Sequence, residues 1–303
     1  MTAPAGPLRR AIATLAAAGC VPNLGPSDAL VTSTRILAVQ AQPAEADPGT
    51  PVSFTALVAG TGGTVTDARV LWSFCTAPNP LTNDNVVSNA CLGSSSVVAA
   101  GQGPGVTAAT PRDGCSIFGP DTTSLDVRPP DPDSTGGYYQ PLRLELAGTD
   151  VTFDMVRIHC GLPSADAAAA SAFAAAYTLN LNPQLLPLTA AVGGAQVSLA
   201  GLPAGARVTF EASWPAASAE TFAYFDPVSE QVTTQRESMQ VAWYSTSGSL
   251  DTESTGRASD DPATTSDNGW VAPSNTRTVV LWVVLRDSRG GTDFAAYDLT
   301  VVP

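Results

Sequence analysis

A chain of 303 residues carries 14 arginines, no lysine, 27 acidic residues and one histidine, for a net charge of −13. That charge repels nucleic acid and anionic lipid headgroups, and the missing lysine removes Schiff-base and Walker-type phosphate chemistry. The length suits two domains, each able to bury its own core.

The first element is a leader. Arg9 and Arg10 precede an apolar stretch over residues 11–18, followed by Gly19 and Cys20. Charge, apolar run and small residues are the layout of an export signal. With a cysteine directly after the small residues it resembles a bacterial lipoprotein signal. The resemblance implies loss of residues 1–19 and acylation of Cys20, with the membrane holding only the acyl chains. Val21, rather than Asp, follows that cysteine, which by the same resemblance points to the outer membrane. Without the leader, 12 basic residues face 27 acidic ones, a net of −15. Residues 20–34 read as a tether, with two prolines and one glycine after Cys20 and no sustained period. No later segment has the ~20 apolar residues of a membrane span.

From Arg35 the period is two. Val52, Phe54, Ala56 and Val58 alternate with polar residues, as do Val70, Trp72 and Phe74, then Leu142, Leu144 and Leu146, then Val156, Ile158 and Cys160. Each run predicts a strand with one buried face. Arg157 and His159 fall on the polar face of theirs, so the lone histidine is expected to be solvated rather than a base or metal ligand.

Four cysteines remain after Cys20: Cys75, Cys91, Cys115 and Cys160. In an exported chain they predict two disulfides, with three possible connectivities. Proximity favours Cys75–Cys91, which leaves Cys115–Cys160. No paired C-x-x-C spacing points to zinc.

Residues 99–140 read as a long irregular loop, functional or disordered by default. Within it Asp131, Asp133 and Thr135 place oxygen ligands at alternate positions ahead of Gly136, like the first half of a calcium loop. Leu142 stands where the bidentate Glu of an EF-hand would be. A second acidic loop holds Asp251, Glu253, Asp260, Asp261 and Asp267. Solvated turns are the ordinary reading of both. Calcium is the only cofactor these loops admit; otherwise none is expected. Tyr138, Tyr139 and Trp270 lie in or beside predicted loops, where exposed rings could stack on sugars or anchor a partner. Closing a local core is the plainer role.

Residues 164–178 predict the single helix. Ser164 can cap it, Asp166 sits in its first turn, and Phe173 and Tyr177 are four apart on one face. The punctuated stretch to Pro187 sets a boundary, giving one domain over 35–187 and another over 188–303. The second repeats the alternation at Val208, Phe210, Ala212 and Trp214, and at Met239, Val241 and Trp243. The run over 278–285 is apolar on both faces, which predicts a central strand. Gly290 and Gly291 can supply the positive φ of a hairpin to the last strand.

Trp72 and Trp243, each on a strand after an alternating one, resemble the core tryptophan of immunoglobulin-like sandwiches. Trp243 to Gly248, Asn268 to Pro273 and Asp287 to Gly291 look like bacterial immunoglobulin-like or PKD-like domains. The segments Trp72 to Cys75, Asn85 to Cys91, Gly136 to Gln140 and Leu281 to Gly291 together are similar to a group of uncharacterised myxobacterial lipoproteins. The resemblance implies an all-β chain of two immunoglobulin-like β-sandwich domains with one short Ala-rich helix, the first domain carrying a long disulfide-bonded loop insertion. It implies a place in the cell envelope and no established activity.

The carboxylate pairs Asp150/Asp154 and Asp260/Asp261 are hydrolase candidates only in the sense that any spatial pair could be. No G-x-S-x-G elbow accompanies His159. The expected role is non-catalytic: a lipid-anchored structural or protein-binding envelope component. A glycan-binding or adhesive module, calcium-assisted or not, and a carboxylate-dependent hydrolase are the alternatives.

Overall fold

The computed structural model describes residues 27–78, 87–117, 135–146, 151–162, 165–226 and 228–303. The protein is all-β: two immunoglobulin-like β-sandwiches with short helices.

The first sandwich is built from β1 (Arg35–Gln42), β2 (Pro51–Gly60), β3 (Val70–Cys75), β4 (Val97–Gln102), β5 (Gly105–Ala109), β6 (Gly137–Leu146) and β7 (Val151–His159). β2 pairs with β1 on one side and with β5 and the short Gly63–Thr64 strand on the other. The facing sheet runs Glu45–Ala46, β7, β6, β3, β4. Alternating residues meet between the sheets. Val52, Phe54 and Val58 pack against Val70, Trp72, Leu142, Leu144 and Val156.

The second sandwich follows with β8 (Thr189–Val192), β9 (Arg207–Ser213), β10 (Thr221–Asp226), β11 (Gln231–Arg236), β12 (Met239–Ser245), β13 (Ser254–Arg257), β14 (Thr265–Val271), β15 (Arg277–Asp287) and β16 (Thr292–Val302). β8, β9 and β14 form the core of one sheet; β16, β15, β12 and β13 lie side by side in the other; β10 and β11 make a separate hairpin. Val208, Phe210 and Trp270 of the one sheet meet Val241, Trp243, Leu281 and Val283 of the other.

The sandwiches are joined face to face. A bulge between Ile36 and Ala38 turns both Leu37 and Ala38 outward from β1. With Leu57 and Ala59 they pack on Val280, Trp282 and Val284, the outer face of β15. This is why the run over 278–285 is apolar on both faces: one face fills its own core, the other the joint. The helix α2 (Ala167–Ala176) adds a second bridge, because Phe173 packs on Ala223 of β10.

Five local expectations need correction. Residues 27–34 do not behave as tether: Ala29 and Val31 are buried, and this segment pairs with Ser245 at the end of β12. Backbone bonding, not hydrophobic period, holds it, so composition alone misread it. The α2 cap is Asp166, whose Oδ1 accepts from the Ala168 and Ala169 amides at 2.8 Å; Ser164 lies outside the described residues. The stretch over 99–140 is not wholly irregular, since β4 and β5 form there from Ala- and Gly-rich sequence too bland to show a period. A one-turn helix, α1 (Gly114–Ile117), also lies there. In the β15–β16 turn only Gly290 has a positive φ, +99°.

Candidate functional site: a charged joint between the sandwiches

Charged side chains are buried where the linker after α2 passes between the sandwiches. Strand β7 and the Glu45–Ala46 strand run parallel, which brings Arg157 beside Glu45. Arg157 Nε lies 3.0 Å from Glu45 Oε1, and neither side chain reaches solvent. Arg157 was expected on a solvated face. The sheet's outer face is instead covered by the Tyr177 region, and Gly137 leaves the room: a Cβ there would lie 2.5 Å from the guanidinium. Arg157 Nη2 donates to the Thr135 carbonyl at 2.7 Å, and its guanidinium lies over the Tyr139 ring at 5.3 Å. The Tyr177 hydroxyl donates to Glu45, and burial pushes that hydroxyl's pKa up.

Across the linker lies a second cluster. Arg289 donates from Nε to Glu237 at 2.7 Å, from Nη2 to Glu220 at 3.0 Å and from Nη1 to the Thr178 carbonyl at 3.0 Å. Phe222 lies beneath its guanidinium, 4.8 Å away. Asp287 Oδ1 accepts from the Arg289 and Gly291 amides at 2.8 and 2.9 Å. Burial, reinforced by the charge of Asp287, pushes Glu237 up to about 7 against the pull of Arg289. Burial raises Asp287 as well. Asn180 connects the clusters. Its amide donates to Glu45 at 2.9 Å and its side chain to Asp287 at 3.2 Å. Glu45, Arg157, Glu237, Asp287 and Arg289 are buried, and Glu220 keeps partial exposure.

A shallow groove of about 430 Å³ opens beside this cluster. Ser238, Gln240, Ser254, Arg257 and Arg286 line it, with Gly256 between them. Among the described residues, no three His, Cys, Asp or Glu side chains come together as a metal site.

No protein-family model matches the sequence, and no curated protein matches it. Solved structures similar to parts of it are β-rich. The adhesin InvE of Yersinia pseudotuberculosis is 10% identical, with 89% of this chain and 59% of that one covered at a TM-score of 0.25. A glycosyl hydrolase family 2 member from Bacteroides cellulosilyticus is 7% identical, with 84% and 23% covered at 0.23. Domains 4 and 5 of the S-layer protein SbsC are 10% identical, with 89% and 100% covered at 0.21. The chain spans little more than half the adhesin. Likeness at this level assigns no activity, so the fold rests on the strand order itself.

The disulfides are Cys75–Cys91 and Cys115–Cys160, with Cα separations of 5.5 and 5.6 Å. They are the chemistry of an extracytoplasmic protein. The candidate anchor Cys20 lies outside the described residues, as do Asp131, Asp133 and Asp150. Thr135 contributes its carbonyl to Arg157, as above.

The expected surface aromatics are mostly core. Trp270 is fully buried in β14 and donates to the Ser247 carbonyl at 3.1 Å. Tyr138 is buried in β6, while Tyr139 keeps partial exposure against Arg157. Trp270 and Tyr138 each fill a strand position inside the fold, where the rings close the core. His159 is part-exposed, stacked on Tyr177 at 4.5 Å and paired with Asp47 at 3.0 Å.

In the second acidic loop the carboxylates described here are engaged in separate bonds. Asp251 pairs with Arg207, Asp261 with Arg257, and Glu253 accepts from Ser27. Asp154 accepts from the Val39 and Met155 amides at 3.1 and 2.7 Å, and burial raises it. Sequence reasoning missed Glu45, Asn180, Glu220, Glu237, Asp287 and Arg289. The one legible signal was the Gly136-Gly137 pair beside a strand, which marks a close approach of something bulky.

Proposed function

We propose that the protein is a non-catalytic structural or protein-binding component of the bacterial cell envelope, exported and held to the outer membrane by acyl chains on Cys20. The observation that carries this reading is the apolar joint. Sheet faces that two free modules would expose are used to lock the sandwiches together, which suits a spacer or scaffold. The two disulfides support an oxidising compartment. The inward bonding of the charged clusters supports a structural use of their carboxylates. The partner is another envelope protein.

The decisive experiment isolates the intact protein from its native envelope and applies mass spectrometry to the N-terminal peptide and to co-purifying proteins. Loss of residues 1–19, diacylglycerol on Cys20 and a reproducible envelope partner are expected. An unprocessed Met1 would remove the anchor. The polar groove beside Gly256 supports a second reading, a glycan-binding module that uses Gln240, Ser254 and Arg286 rather than stacked rings. Glycan binding that disappears in Gln240→Ala would favour it.

A further inference from the structure

The cluster around Arg289 holds more negative charge than positive. Glu220 is part-exposed, so its charge is shared with water. Glu237 and Asp287 are both buried, against the one buried guanidinium of Arg289. Nearby charges do not close the gap. Beyond Asn180, Glu45 is matched by Arg157. On the groove side, Arg257 is tied to Asp261 and Arg286 donates to the Leu37 carbonyl. An unmatched buried charge is costly and is usually removed by taking up a proton. A bound metal is the other way to balance it, and among the described residues no three His, Cys, Asp or Glu side chains come together here.

Hydrogen bonding says where the proton goes. Both Glu237 oxygens already accept N–H bonds, from Arg289 Nε and, at 2.8 Å, from the Glu220 amide. Asp287 Oδ1 is likewise occupied. Among the described residues, Asp287 Oδ2 meets only the Asn180 side-chain nitrogen, at 3.4 Å. The Asn180 side-chain oxygen is buried and has no donor among the described residues. Turning that amide over would bring its oxygen to Asp287, and which way an amide points is decided by its hydrogen bonds.

We propose that Asp287 Oδ2 carries a proton taken from water and donates it in a hydrogen bond to the Asn180 side-chain oxygen, making the linker a proton-dependent latch between the sandwiches. The backbone of the same Asn180 is bonded to Glu45 on the first sandwich, so the latch spans the joint. Deprotonation sets two buried carboxylates against each other and leaves the Asn180 oxygen without a partner. A group whose folded-state pKa is raised contributes stability that is full below the ordinary carboxylate range. That stability is lost as pH climbs through the folded value.

The test uses the full mature chain with both disulfides intact. Amide exchange at Asn180 and Leu181, corrected for intrinsic rates, is followed from about pH 4.5 to about pH 8, together with the melting temperature. Protection is expected to fall by up to about tenfold per pH unit, and the melting temperature to drop, as pH rises through that window. Asp287→Asn keeps the acceptor at Oδ1 and supplies a permanent donor to Asn180, so the fall in protection at Asn180 should become shallower, the remaining slope coming from the other carboxyls that burial raises, Glu237 and Asp154. Glu237→Gln turns an N–H toward a donor and should lower the melting temperature at every pH, while protection at Asn180 still falls with pH because Asp287 still titrates. A pH-independent wild type, or an Asp287→Asn protein that keeps the wild-type slope, would overturn the latch. Carboxyl carbon shifts of Asp287 in the unmutated protein decide the matter if the variants do not fold. Full ionisation by about pH 5 would sink the proposal.

Discussion

Trp282, on the outer face of the second sandwich, donates its indole N–H to the Thr64 hydroxyl of the first at 2.8 Å. The ring is fully buried among Leu37, Leu57, Val280 and Val284. One side chain therefore supplies apolar area and a directional bond to the same joint. The Thr64 partner sits on a two-residue strand that pairs with the end of β2, so the bond also fixes how the outer sheets align.

Trp282→Ala should open a cavity at the joint and cost about 3–5 kcal/mol. The wild type is expected to melt in one calorimetric transition and the variant in two, because each sandwich keeps its own core. Trp282→Phe keeps most of the packing and loses the hydrogen bond, for about 1 kcal/mol. A single unshifted transition in Trp282→Ala would show that the sandwiches are coupled elsewhere.

The two disulfides should contribute unequally. Cys75–Cys91 closes 16 residues and Cys115–Cys160 closes 45. Loop-closure entropy gives about 3 kcal/mol for the short loop and about 4 for the long one. Chemical denaturation of the Cys75→Ser/Cys91→Ser and Cys115→Ser/Cys160→Ser proteins should therefore leave the second less stable. The reverse order would mean that native contacts around α1, rather than chain entropy, dominate.

Strands with a clean period of two were readable from the sequence, because burying one face forces that alternation. The run over 278–285 was also readable as central, though not why its second face was apolar: Leu37 and Leu57 lie more than 200 positions away in the chain. The same distance hid the charged joint. Glu45, Arg157 and Asp287 are unremarkable alone and acquire meaning only when the linker brings them together. Trp270 was misplaced for a local reason. The polar residues Ser266, Asp267 and Asn268 precede it and look like loop, yet Ser266 and Asn268 are buried in β14. Asn268 donates to the Thr252 carbonyl at 2.7 Å, which is how a polar residue is accommodated there.

Gly248 should tolerate no side chain. Its φ is +84°, and a Cβ would lie 2.2 Å from Trp270 Nε1. Gly248→Ala is expected to destabilise by about 1–3 kcal/mol through overpacking, with backbone strain in addition. Trp270→Ala should cost about 3–5 kcal/mol. Thermal melts check both. A Trp270→Ala protein of unchanged stability would contradict its burial and reopen a surface role.

Glu45→Ala should be among the most damaging single changes. It strands the buried Arg157 guanidinium, removes the acceptor of the Tyr177 hydroxyl and frees the Asn180 amide. Breaking one side of a buried ion pair typically costs about 3–5 kcal/mol, because the remaining charge stays buried. Glu45→Gln/Arg157→Met removes both charges and keeps bulk, so it should be less destabilising than Glu45→Ala. Urea denaturation of the single and double variants gives the comparison. If the double variant is the worse of the two, the pair contributes net attraction beyond its desolvation cost. If it is the better, the charges serve mainly to fix the path of the linker. The second outcome is expected, because Asn180 must be held at one point to touch Glu45 and Asp287 together.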